Sequence, residues 1–149
     1  MAEIASAAIA FAAATHGAVS VIQTLITDYN NAIRVLSNLN SHCTTIMNVL
    51  RTVRETLETG PLTRTAVGRG MIETFNNYYD DFETRLQEVL TEVRSYGVLE
   101  ESQPGGRRPS STSLVRIRIM WRSPVLETMK RDIDDKRSNM VVLMISIQL

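Results

Sequence analysis

The hydrophobic positions of this chain fall into four long stretches separated by short polar or Gly/Pro-containing breaks. Ile4 to Thr27 holds no charged side chain and is rich in Ala, the strongest helix former. It predicts a helix over residues 2–27 that is apolar around most of its circumference. Asp28, Asn30 and Asn31 then supply turn chemistry. In the second stretch Leu36, Cys43, Leu50 and Leu57 recur every seven residues, and Leu39, Ile46 and Val53 form a parallel row. Together they make one seam of an amphipathic helix over residues 32–59. Gly60-Pro61 ends it, and Gly68 and Gly70 predict a loop over 61–70. Met71, Phe75, Tyr78, Phe82, Leu86, Val89 and Val93 recur at spacings of three and four, which predicts a third helix over 71–96 with Gly97 as its stop.

Glu101 to Ser113 is dominated by Pro, Gly and Ser and predicts a flexible linker over 101–113. Ser123-Pro124 reads as an N-cap followed by Pro at the first helical position. It opens a last helix over 124–147, with Val125, Leu126, Met129 and Ile133 on one face. The alternating "VRIRI" before it predicts an extended or short helical lead-in, and the closing "MVVLMISIQL", apolar on every side, predicts burial. The expected fold is all-α: a single helical domain over 1–149, a four-helix-type bundle with a long, very apolar N-terminal helix and a flexible linker before the last helix.

Charge changes this picture only locally. The net charge is zero, which gives no global pull toward nucleic acid. Yet residues 71–101 carry eight acids against Arg85 and Arg94, and residues 107–137 carry nine bases against four acids. An acidic helix lying against a basic C-terminal segment is one expectation, and contact of the basic segment with anionic lipid is the other. The string Arg107-Arg108-Pro109-Ser110 resembles a basophilic kinase site, where a phosphate on Ser110 would weaken such a lipid contact.

Catalytic and metal-binding patterns are absent from the sequence. His16 and His42 lie on different helices, no His-x-x-His or Cys-x-x-Cys spacing occurs, and there is neither a phosphate loop nor a Gly-x-Ser-x-Gly elbow. His42 and Cys43 are helix neighbours and do not face each other, so Cys43 reads as a small hydrophobe of the seam. The expectation is a protein without enzymatic activity, cofactor, metal or small-molecule substrate. A lone cysteine fits a reducing, cytoplasmic compartment.

The uncharged first stretch carries the functional question. Its beginning lacks the basic residues of a signal peptide. Its length suits a bilayer, but Ser6, Thr15, His16, Ser20, Gln23 and Thr24 interrupt it and no Lys or Arg flanks it. Ser6, Ala10, Ala14 and Ala18 stand four apart, a small-residue pattern that suits close packing in a bundle or in an oligomeric membrane segment. Ile9, Phe11, Val19, Ile22 and Leu25 are the candidate membrane-contact or self-association side chains. Arg116, Arg118, Trp121 and Arg122 form a candidate basic-aromatic patch, because Trp favours the headgroup region and bases favour anionic lipid. Ordinary packing is the competing reading of both sets.

Three features in succession carry a resemblance: the opening "MAEIASAAIAFAAATHGAVSVIQTLI", the Leu-stepped "AIRVLSNLNSHCTTIMNVLRTV", and "VRIRIMWRSPVLETMKRDIDDKRSNMVVLMISIQL" with its single Trp. The succession resembles the fungal N-terminal domain found ahead of nucleotide-binding, NLR-like (STAND) proteins. That domain is related to the HeLo-like cell-death domains and to the N-terminal domain named after the azaphilone pigments biosynthesis cluster protein L. The resemblance implies a helical signalling or effector domain of incompatibility and programmed cell death, whose first helix acts at membranes, with no catalytic residues to carry over. It implies protein partners, either further copies or an NLR-type protein, and an anionic membrane as a contact on activation. Family members continue into further helices and a nucleotide-binding module, so a stand-alone remnant, a truncated N-terminal module or a partner acting in trans is expected here.

Overall fold

The computed structural model describes residues 2–28, 32–101 and 109–148. Four α-helices follow one another: α1 (Ala2–Thr27), α2 (Ala32–Thr59), α3 (Ala66–Glu101) and α4 (Pro109–Gln148), with a 3-10 turn at Pro61–Arg64 between α2 and α3. No strand occurs among the described residues. The all-α helical bundle anticipated from the periodicities is the architecture of the chain.

Each helix packs on its sequence neighbours, and α4 closes the ring against α1. Cross-helix pairs fix the directions. Gly17 of α1 meets His42 of α2; Arg54 of α2 stacks 4.2 Å over the Tyr79 ring of α3; Arg85 Nε of α3 donates to Asp132 Oδ2 of α4 at 2.5 Å; and Lys130 of α4 donates to Gln23 of α1. Along α3 and α4 the pairs Ser95–Arg118, Glu92–Arg122 and Arg85–Asp132 run in opposite chain directions, as Tyr79–Arg54 and Arg94–Asn40 do along α3 and α2, so these neighbours are antiparallel as in an up-down bundle. α1 and α3 face each other diagonally, and Phe11 and Phe82 meet across the centre edge-to-face, with ring centroids 5.4 Å apart. The core is the seam read from the sequence: Leu39, Cys43, Ile46, Leu50, Val53 and Leu57 of α2 are all buried. The side chain of Leu36 lies outside those described.

Several boundaries and faces differ from the sequence reading, each for a physical reason. The stretch 61–70 is not a loop: α3 begins at Ala66. Thr65, in an extended conformation, caps it through Oγ1, which accepts the Gly68 N–H at 2.9 Å. Gly68 is present because the chain doubles back tightly there; a Cβ at this position would stand 2.0 Å from the Leu62 carbonyl oxygen. Gly97 does not stop α3, which continues to Glu101. Here the Ser95 carbonyl accepts a 2.8 Å hydrogen bond from Arg118 of the neighbouring α4. Tyr79, not Tyr78, enters the core, since 75, 79, 82, 86 fits the helical repeat as well as 75, 78, 82, 86.

The largest difference is at Pro124, which does not open α4 but lies inside it. Proline leaves the carbonyl four residues earlier without its N–H partner. Here that carbonyl belongs to Met120, and the Ser123 hydroxyl donates to it at 3.1 Å. Ser123 therefore acts as a repair inside the helix rather than as its cap. The predicted linker shrinks accordingly: residues 109–113 belong to α4, and 102–108 lie outside the described residues. "VRIRI" is helical, so Ile117 points outward and Ile119 inward. At the end of α4 only one face is buried (Met140, Met144 and Ile147), while Val142 and Ile145 face outward, because α4 has neighbours on one side only.

Candidate functional site

From Ile4 onward α1 has two faces, neither of them charged. Among the described residues it is the one helix long and apolar enough to cross a membrane, from Ile4 to Thr27, yet only 39% of its most apolar window is buried. Phe11, Ile22 and Leu25 are fully buried in the core, together with Ile4 and Ala18. Val19 is half-buried against the core. Ile9 points the other way and is 73% exposed, on a face shared with Ser6, Ala13, His16 and Ser20. The five candidate side chains of α1 are thus divided between the interior and the outer surface.

The polar interruptions of α1 are absorbed locally. Thr15 is buried, and its hydroxyl donates to the Phe11 carbonyl at 2.7 Å; Thr24 and Thr27 do the same to Ser20 and Gln23. The small-residue pattern is used on one side only. Ala8, Ala14 and Ala18 are buried, and Gly17 lets the His42 ring approach so closely that a Cβ would lie 2.5 Å from its Cε1. Ser6 and Ala10 remain on the surface.

The basic-aromatic patch is a spatial cluster at the α3–α4 seam. Ser95, Ile117, Arg118, Trp121 and Arg122 line one shallow depression. Trp121 is 82% exposed, and Ile117, one helical turn before it, and Met120, next to it in the chain, are about half exposed. The two described arginines reach toward α3: Arg118 donates to the Ser95 carbonyl, and Arg122 pairs with Glu92 at 2.7 Å. The side chains of Arg116 and Ser110 lie outside those described. Sequence reasoning missed Ile117 and Met120 because it took "VRIRI" as alternating. Read at helical spacing, Ile117, Met120 and Trp121 share a face, which is the signal that would have found them.

Acidic α3 and basic α4 do lie side by side. Besides Arg122–Glu92, Arg85 of α3 pairs with Asp132 of α4 and with Glu88 of its own helix. Partial burial works against the Arg85 charge, but the hydrogen bonds and Coulomb attraction of Asp132 and Glu88 outweigh it and push its pKa further up. A second, open groove follows the same seam, lined by Asp80, Glu83, Gln87, Glu88 and Glu92 with Met129 at its floor.

The metal-ligating side chains do not converge among the described residues. No group of three or more His, Cys, Asp or Glu side chains could hold a metal ion. Burial pushes the Cys43 thiol up to about 12, against a smaller opposing effect of Arg94, so the thiolate is scarce at neutral pH. His16 is exposed on α1, and the His42 ring is packed over Gly17. No family model, no curated protein and no solved structure matches this chain.

Proposed function

We propose that this chain is a non-enzymatic helical signalling or effector domain that works through α1, by self-association or by membrane contact. One observation carries the reading: an uncharged helix of bilayer-spanning length sits at the edge of the bundle with most of its apolar window unburied. Charged residues usually mark the solvent face of a bundle helix. The outer face of α1 carries none from Ile4 to Thr27, and Ile9 stands on it. The succession of sequence features that resembles fungal NLR-associated N-terminal domains supports the same reading, with a cytoplasmic protein placed peripherally at membranes on activation.

The experiment uses the intact chain, because removing α1 would strip Phe11, Ile22 and Leu25 from the core. Ile9→Glu combined with Ala13→Glu places charge on the exposed face alone. Co-sedimentation of the parent and the double variant with phosphatidylserine vesicles is the readout, with circular dichroism as the fold control. Vesicle binding by the parent that is lost in the equally helical variant supports membrane contact. No binding by the parent removes the membrane part of the proposal.

A second reading is favoured by the same burial. α1 contributes Ile4, Phe11, Ile22 and Leu25 to the interior, as the permanent core helix of an adaptor bundle would. Such a bundle binds another helical protein and never releases α1. A chain that binds no vesicles and keeps α1 amides protected from hydrogen exchange under all conditions would be this adaptor.

A further inference from the structure

We infer that the α3–α4 seam is a self-complementary docking face that pairs two copies of this chain antiparallel about a two-fold axis. The inference goes beyond the reading of α1 and stands on a different surface.

Two features with opposite charge lie along this one seam. At the end near Ser95, Trp121 projects from the surface with Ile117 and Met120 beside it. Arg118 is the cation at this end. It donates to the neutral Ser95 carbonyl, and no ion pair engages it among the described residues. Arg122 already pairs with Glu92. Farther along lies the open groove, with Met129 as its apolar floor and Asp80 and Glu83 on its wall. No ion pair engages Asp80 or Glu83 among the described residues. Thr84, Glu88, Thr91 and Ser95 follow one another at spacings of three and four, so projection and groove lie on one continuous face of α3.

The spacing suits a two-fold. Arg118 sits level with Ser95. Ser95 and Glu83 are twelve residues apart, about 18 Å at the helical rise of roughly 1.5 Å per residue. An axis through the midpoint, near Val89, carries Arg118 of one copy onto the Asp80–Glu83 wall of the other. It carries Trp121 onto the groove beside Gln87 and Glu88. The same operation makes the reciprocal contacts, as an isologous interface requires. An aromatic anchor entering a partly apolar groove, with a charge pair at its rim, is the arrangement that concentrates binding energy. An anionic bilayer fits this face less well, because the acids of the groove share it with Trp121 and would be driven against lipid of their own sign.

Trp121 is the sole tryptophan, so its fluorescence reports on this face alone. The full chain is examined by sedimentation equilibrium and by emission wavelength from sub-micromolar to hundred-micromolar concentration. The expected result is a mass rising from one copy to two, with a blue shift of Trp121 emission following the same curve. Trp121→Ala, at an exposed site, should keep the helical spectrum and weaken dimerisation at least about tenfold. Asp80→Lys with Glu83→Lys should weaken it likewise, and adding Arg118→Glu to that variant should restore it by exchanging the charges. A chain monomeric throughout overturns the inference. So does a dimer whose Trp121 emission never moves, which would be built on another face. A blue shift seen only with phosphatidylserine vesicles overturns it in favour of lipid.

Discussion

Truncation of Phe11 tests whether α1 is built into the bundle or merely rests on it. The ring is fully buried, and it meets Phe82 of α3 edge-to-face at 5.4 Å, bridging two diagonally opposed helices. Phe11→Ala removes a buried aromatic ring and leaves a cavity at the centre of the bundle. Substitutions of this kind cost about 3–5 kcal/mol. The unfolding entropy of a domain of this size is about 0.3 kcal/mol per degree, from roughly 2.1 cal/mol/K per residue. The expected fall in Tm is therefore about 10–16 °C. The paired control is Ile9→Ala, two residues away on the same helix but 73% exposed, with an expected change within about 0.5 kcal/mol. Urea and thermal denaturation followed by circular dichroism measure both. Equal, small effects of the two substitutions would refute the reasoning, because they would mean that α1 does not insert Phe11 between the other helices.

Three further outcomes follow from the geometry. Gly68→Ala should lose more than about 2 kcal/mol in urea denaturation, because its Cβ would meet the Leu62 carbonyl oxygen at 2.0 Å, whereas Gly70→Ala, with open space around it, should gain up to about 1 kcal/mol from helix propensity. Pro124→Ala should raise the thermal midpoint, since it restores an N–H toward the Met120 carbonyl and relieves up to about 3 kcal/mol of interior-proline penalty; a lowered midpoint would mean that the local bend is needed for packing. Cys43 should resist iodoacetamide in the folded chain and react on unfolding. Its folded pKa of about 12 lies above the ordinary 9.0, so the unfolded state releases the proton first. The stability this thiol contributes is complete below about pH 9 and is lost as pH rises toward about 12, a slope that Cys43→Ala should flatten in pH-dependent denaturation.

What was legible in the sequence was periodicity, and what was not was any feature set by a neighbouring helix. The row Leu39–Cys43–Ile46–Leu50–Val53–Leu57 needed no tertiary information, because one side of a helix either is or is not apolar. Tyr78 and Tyr79 could not be told apart, since both fit a three–four repeat, and Arg54 reaching over Tyr79 from α2 is a contact between helices. Gly68 and Pro124 carry strong local signals that pointed the wrong way. Gly68 serves a backbone approach to Leu62 inside a helix, and the loss at Pro124 is repaired by its own neighbour Ser123. In both cases the compensation comes from residues close in the chain, which a reading of propensity alone does not weigh. At the candidate site, Trp121, Arg118 and Arg122 were legible as a basic-aromatic run, but their partners Ser95 and Glu92 lie on α3 and could not be read from that run. The α1 candidates mixed two faces because from Ile4 onward the helix has no charged stripe from which to tell inside from outside.

The burial of α1 sets a condition on how it can act. Ile4, Phe11, Ile22 and Leu25 are all fully buried, and each large apolar side chain contributes about 1.5–3 kcal/mol on burial. Withdrawing α1 therefore forfeits on the order of 10 kcal/mol, which is comparable to the whole stability of an ordinary domain. A membrane that extracts α1 must return that energy by burying the same side chains, since a ligand shifts an equilibrium only by its differential affinity for the two states. Ile9 on the outer face supplies at most a few kcal/mol of this before release. Surface contact and extraction are thus separate events with separate signatures. Contact through Ile9 leaves the amides around Phe11 protected from hydrogen exchange, whereas extraction exposes them together with those of α2 and α4. An exchange experiment on the vesicle-bound chain distinguishes the two, and protection at Phe11 in the bound state would confine the action of α1 to its outer face.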